Sequence, residues 1–213
     1  MNIGLDEIKF ISAGVFVTLK YATLSVFFGL IFASLLTYFA FSQYKILNIF
    51  NKFYVSVFRG TPLLIQLSLI YFGIPSLTGI KISAFVSGVL AFSLNSGAYI
   101  SEIIRAGINS IDSGQTEAAK TLGIPKSLIM KDIILPQAIR NLIPSLLNEL
   151  IDMLKESALV SIIGEADLMR RSQLVAAEKY TYFAPLMVSA ANYYILVMLL
   201  SFIIKKIERK LVK

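Results

Sequence analysis

The chain has 213 residues, 56% hydrophobic and only 15% charged, with a mean hydropathy of +0.74; a soluble domain carries roughly 25% charge, so this reads as a polytopic membrane protein. Lys and Arg outnumber Asp and Glu by 20 to 13, but they lie between and after long apolar runs, which points to membrane orientation rather than to nucleic acid. Cys and His are both absent, which removes disulfides, thiol nucleophiles, imidazole general bases and the usual zinc ligand sets.

A transmembrane helix needs about 20 mostly apolar residues. The first such run, 13–41, follows Asp6, Glu7 and Lys9 and is far longer than the roughly 7–15-residue core of a cleavable signal, so it is expected to remain in the mature protein. A polar link over 42–52 leads to a second span at 53–74, and a link over 75–81 leads to a third at 82–104. The segment 105–141 is long and amphipathic. Asp112 followed by Gln115 resembles a capping box, 115–122 is helix-compatible, and Gly123 is a natural stop. Pro125 suits the first turn of a second short helix that Pro136 limits. The expectation is a helix, a tight turn and a helix, which suits a cleft in a soluble partner or an ordinary interfacial connector. A polar stretch over 165–182 precedes the last apolar run, 183–204. With no low-complexity linker or repeat, residues 1–213 form one domain.

The segment 143–163 is harder to read, because Glu149, Asp152, Lys155 and Glu156 sit among its Leu, Ile, Val and Met residues. Four central charges cost roughly 10 kcal/mol on the insertion scale, and the apolar residues return only about half of that, so hydropathy alone leaves a surface helix equally open. Loop charge decides. Arg105, Lys120, Lys126, Lys131 and Arg140 precede this segment, and Lys205, Lys206, Arg209, Lys210 and Lys213 follow the last span; basic loops stay in the cytoplasm. Both therefore lie on one side, which requires 143–163 to cross. Five spans follow, with the N-terminus outside and the C-terminus inside.

Intramembrane charges face protein or water and so mark pathways. At 100° per residue, Glu149, Asp152 and Glu156 fall within about 60° of one another, and Lys155 is placed to pair with Asp152. On the third span Asn95, Tyr99 and Glu102 share a face, with Arg105 one turn beyond Glu102. Two such polar stripes line one aqueous route, or else they are interhelical ion pairs and hydrogen bonds that hold the bundle together. The same carboxylates also fit proton relays in a carrier driven by an ion gradient. No Gly-Lys dipeptide occurs, so no phosphate loop is present and the chain itself hydrolyses no ATP.

The link reads Glu117-Ala118-Ala119, three residues, Gly123, nine residues, Ile133, one residue, Leu135-Pro136. This is a full match to the EAA motif by which permeases of bacterial binding-protein-dependent, ATP-driven importers dock on their ATPase subunits. Further pieces resemble the polar-amino-acid branch of that family, and glutamine-type permeases in particular: Gly14-x-x-x-Thr18-Leu19, Arg59-Gly60-Thr61-Pro62, Ala98-Tyr99, Glu102, Arg105-Ala106-Gly107-Ile108, Gly114-Gln115, Pro136-Gln137-Ala138 and Lys155-x-Ser157. Ser101 stands where Ala is common and Ala158 where Ser is common, which weakens assignment of a particular substrate.

The resemblance implies an all-α, type I (MetI-like) importer fold in the bacterial cytoplasmic membrane. Two permease copies, identical or closely paralogous, would pair within lipid. Each would receive an ATP-binding-cassette ATPase, which carries the ATP and Mg, while this chain binds no cofactor. A periplasmic or lipoprotein solute-binding protein would deliver the amino acid. Glu117 to Gly123 would form the coupling helix, Arg59 and Thr61 would lie near the pathway, and Glu149 matches the acidic position that members with a bound amino acid set against the substrate side chain. A carboxylate there accepts hydrogen bonds from an amide or a guanidinium, so a basic amino acid stays open beside glutamine.

Overall fold

A backbone surrounded by hydrocarbon must satisfy its N–H and C=O groups internally, and among open structures only the helix does so. The computed structural model describes residues 3–211, and every regular element among them is helical. Lys213, one of the basic tail residues, lies outside the described residues.

A short helix α1 (Leu5–Ser12) runs almost directly into α2 (Val15–Ala40). The predicted second span is not one helix. It is α3 (Lys45–Gly60) followed by α4 (Leu63–Thr78), bent by 102° at the break between them. Pro62 explains the bend: it has no N–H to continue α3, and it holds Thr61 extended at φ −122°, ψ 144°. The third span is α5 (Ala84–Asn109), and a short helix α6 (Ser113–Thr121) follows it.

Pro136 does not limit a separate second short helix, as its position had implied. A turn over Lys126–Leu128 and a π-helical stretch over Ile129–Ile134 pass directly into α7 (Leu135–Glu156), with Pro136 in its first turn. The widened π-helical turn before it relieves the close i−4 contact that a proline cannot make, so the chain continues through Pro136. A 3₁₀ segment, Ser157–Ile163, closes this part of the chain. The polar stretch after it holds a helix that composition did not reveal, α8 (Leu168–Lys179), and α9 (Phe183–Leu211) ends the described chain.

Among the described residues, three helical stretches are long and apolar enough to cross a membrane, Leu5–Ala40, Ala84–Asn109 and Phe183–Arg209, with a fourth if the bent pair α3–α4 is one span. The core forms where α2, α4, α5 and α7 meet around Tyr21, Leu67, Phe92 and Leu154. Lys20, inside α2, places its ammonium 4.0 Å from the centre of the Phe85 ring, which compensates its charge without a carboxylate.

Asp167 is fully buried and caps α8, accepting from the Arg170 N–H at 2.8 Å and the Met169 N–H at 3.2 Å. The Tyr193 hydroxyl on α9 donates to it at 3.2 Å. Desolvation outweighs these donors and pushes the Asp167 carboxyl up to about 6. The native chain therefore holds a proton that the unfolded chain has lost between about pH 4 and 6, and stability from this group falls as pH rises through that window, by on the order of 3 kcal/mol. Asp167→Asn keeps a cap acceptor and removes the titration. Thermal unfolding of both proteins across pH 4–7 should show a pH-dependent gap that opens over this window; a constant gap would contradict it.

Candidate functional site

The break between α3 and α4 sets the site. In an unbroken helix the Phe58 carbonyl would accept from the residue-62 N–H, which Pro62 lacks. The Gln66 side chain supplies the missing donor: its Nε2 lies 2.9 Å from the Phe58 carbonyl, 3.1 Å from the Thr61 carbonyl and 2.9 Å from Thr61 Oγ1. Asn95 Nδ2, from α5, donates to the same Phe58 carbonyl at 3.1 Å and to Gln66 Oε1 at 3.1 Å. Gln66 and Asn95 are both buried. The bend is thus pinned to α5 by amide groups.

Beside it lies a cavity of about 660 Å³. Arg59, Thr61, Asn95, Tyr99 and Glu149 all line it, so five residues from three separate segments of sequence converge on one space. Asp152 and Glu156 line it as well, so the three carboxylates of α7 border one space. The Arg59 guanidinium stacks over the Tyr99 ring at 5.1 Å. Glu102 does not line this cavity; it pairs with Arg59 at 3.5 Å and with Arg105 at 2.6 Å. Lys155 pairs with Asp152 at 2.7 Å and does not itself line the cavity. Around the cavity, one guanidinium faces three carboxylates.

Glu149 is 7% exposed and accepts from Ser96 Oγ at 2.8 Å. Ser96 stands on α5 between two neighbours: its hydroxyl reaches Glu149 on α7, and a Cβ on Gly29 of α2 would meet Ser96 Cβ and Oγ at 3.1 Å. Sequence reading missed Gln66 and Ser96. Gln66 had a usable signal, as a lone amide four residues after a proline inside an apolar run, where a freed carbonyl needs a donor. Ser96 had none, because its role arises only from how α5 meets α7.

The residues of the docking motif divide into two sets. Glu117 and Ala118 are exposed on α6, and Leu122 just past its end is 79% exposed. Ala119 is buried and packs with Ile129 and Ile134, with Ile133 against them, while Leu135 is half-buried and Pro136 exposed. Gly123 has φ +73° and ends the helix: its N–H donates to the Lys120 carbonyl and the Ile124 N–H to the Ala119 carbonyl, the paired bonds of a left-handed C-cap. Half of the anticipated capping box forms. Asp112 accepts from the Gly114 N–H at 2.7 Å, but the Gln115 side chain turns instead to Gln137 on α7, where the two carboxamides exchange hydrogen bonds of 3.1 and 2.6 Å.

Residues 15–213 match the family of binding-protein-dependent transport system inner membrane components. A Rickettsia conorii permease named for a glutamine transport system is 58% identical over 206 residues, 97% of this chain and 94% of the relative. The arginine transport system permease protein of Bacillus subtilis is 49% identical over 207 residues, with the same coverage. A solved amino acid ABC transporter, crystallised with histidines, superposes with a TM-score of 0.93 at 41% identity, over 99% of this chain and 100% of that one. An inward-facing methionine ABC transporter, at 22% identity and a TM-score of 0.77, shares the fold.

Removing the donor at the bend tests its role. Gln66→Leu removes the donor to the Thr61 carbonyl and one of the two donors to the Phe58 carbonyl, and should lower unfolding stability in detergent by roughly 1–3 kcal/mol. Gln66→Glu should do no better, because an ionised carboxylate cannot donate. Equal stability of the glutamate variant and the native protein would show that the amide N–H groups are not what fixes the break.

Proposed function

This chain belongs to the binding-protein-dependent transport system inner membrane component family as the permease of an amino-acid ABC importer in the bacterial cytoplasmic membrane, and on that footing we propose that it carries glutamine inward by alternating access driven by a separate ATPase subunit. The single observation that carries the reading is the convergence of Arg59, Thr61, Asn95, Tyr99 and Glu149 on one cavity beside a broken helix. Discontinuous helices near the membrane midplane are where transporters hold polar solutes, because unpaired backbone groups there are tolerated only against protein or water. In this reading the chain crosses five times with its N-terminus outside, α3–α4 counting as one crossing and α7 as another. Arg59 takes the substrate carboxylate, and Glu149, oriented by Ser96, accepts from the side-chain amide.

Docking of the ATPase falls to α6. Exposed Glu117, Ala118 and Leu122 offer the contact, and Ala119, Gly123 and Ile133 hold the helix in place; a delivering solute-binding protein and a second permease copy complete the assembly. The match to the EAA motif favours this over a carrier driven by an ion gradient, which has no ATPase to dock. A basic amino acid is the second reading, favoured by the three carboxylates facing one guanidinium and by the relative named for arginine transport.

Uptake by the reconstituted complex separates these readings. Flux should require ATP and the binding protein; flux that persists without the ATPase and collapses with an uncoupler would refute the importer. Glu149→Gln should weaken uptake at least tenfold while leaving association with the ATPase intact. Glutamine in excess should abolish uptake of labelled glutamine while arginine does not, and the reverse would favour the basic substrate. Gly123→Val should fail differently, losing coupling or assembly, because a β-branched residue resists φ near +70°. If both variants behave alike in pull-down and uptake, this division of roles is wrong.

A further inference from the structure

A second cavity, of about 360 Å³, lies along the same two helices as the first, toward the end where Lys45 and Lys52 sit on α3 and Arg105 on α5. Asn48, Asn51, Lys52 and Ser56 line it from α3, and Glu102 and Arg105 from α5. The two cavities share no lining residue, and a single charge contact bridges them: Arg59 lines the first, Glu102 lines the second, and their side chains meet at 3.5 Å. Arg105 holds Glu102 from the other side with two shorter bonds, at 2.9 and 2.6 Å. On α3 the two linings meet at Ser56 and Arg59, and on α5 at Glu102 and Tyr99, in each case about one turn apart, so the cavities follow one another along these helices.

The lining carries charge of both signs. Lys52 makes no ion pair among the described residues, and Glu102 presents a carboxylate to the same space. A molecule bearing a carboxylate and an ammonium on the same carbon complements both, with the carboxylate on Lys52 and the ammonium on the Glu102 carboxylate.

We propose that this second cavity is an exit-side site for a zwitterionic amino acid, and that the Arg59–Glu102 contact is the barrier between it and the pathway cavity. The inference rests on the importer reading above. Of the bonds on Glu102 the one to Arg59 is the longest, so it is the one that yields when a substrate carboxylate competes for Arg59. Glu102 then stays with Arg105 and turns its charge to the arriving ammonium. An ethanolamine phospholipid headgroup carries the same two charges, but it has no reason to share a barrier residue with the substrate cavity.

The test uses the permease with its ATPase, free of nucleotide, in phosphatidylglycerol nanodiscs, titrated in parallel with tritiated glutamine and tritiated arginine. Two sites per permease chain are expected for the transported amino acid. Lys52→Met, at an exposed position that folding tolerates, should weaken one site at least tenfold and leave the other within twofold, whereas Glu149→Gln should do the opposite. Glu102→Gln should speed release of label bound in the pathway cavity at least tenfold. One site per chain, lost only in Glu149→Gln, sinks this inference and leaves the importer reading standing. Binding of neither amino acid sinks both. Repeating the titration with phosphatidylethanolamine present should leave the second site within twofold; its loss there would assign the cavity to lipid and overturn the proposal.

Discussion

The carboxamide of Gln66 is the point on which fold and site both depend. Pro62 breaks a helix inside an apolar run, and a break in that setting leaves carbonyls that hydrocarbon cannot solvate. One amide donor carried by α4 reaches the Phe58 carbonyl of α3 and the Thr61 carbonyl in the break, and Asn95 ties that amide to α5. Because the bend is fixed at this place, Arg59 at the end of α3 and Leu63 at the start of α4 border the same cavity rather than standing a full turn apart on one rod. The cavity is therefore a product of a local backbone defect and its repair.

Close packing of α2 on α5 fixes the serine that holds Glu149. Gly29 faces Ser96, and Gly97 faces Phe32, where an added Cβ would stand 3.0 Å from the Phe32 Cβ. Side chains larger than hydrogen at these two positions would push the helices apart and move Ser96 away from Glu149. A carboxylate that is 7% exposed gains one strong hydrogen bond from that serine and keeps its second oxygen free toward the cavity. A group solvated that incompletely favours a ligand that brings donors, and this physical basis for recognition holds for an amide and a guanidinium alike.

Much of this was legible in the residues. The apolar runs at 13–41, 82–104 and 183–204 correspond to α2, α5 and α9, because length and hydropathy are what a lipid environment selects. Glycine at 123 announced its turn, and the i, i+3 spacing of Asp152 and Lys155 announced their pair. What stayed hidden depends on tertiary contact. A hydropathy window averages over Pro62 and so runs one span through a bend of 102°. Amphipathic α1 and α8 are short and polar enough to pass for links, and their stability comes from each other: Lys179 pairs with Glu7 at 2.8 Å, and Arg171 donates to the Phe10 carbonyl while stacking on its ring. The carboxylates of α7 were visible as a stripe, but only the fold shows that they face α3 and the bend.

Helix α7 joins the two ends of the molecule. Gln137 near its start is clamped to Gln115 of α6, and Glu149, about 18 Å further along the same helix, is bonded to Ser96 of α5. Pro144 sits between these two points, inside the helix, where it cannot donate to the Arg140 carbonyl and so weakens one turn. Motion at the Gln115–Gln137 clamp therefore reaches Glu149 through a weakened turn rather than along an unbroken rod. Beyond that turn the tether to Ser96, a single hydrogen bond worth roughly 1.5–3 kcal/mol with a charged acceptor, holds the far half of the helix against α5. The π-helical stretch Ile129–Ile134 lies upstream of the clamp and plays no part between the two points. The position of the Glu149 carboxylate is thus set chiefly by α5, and α6 acts on it only through the turn that Pro144 weakens.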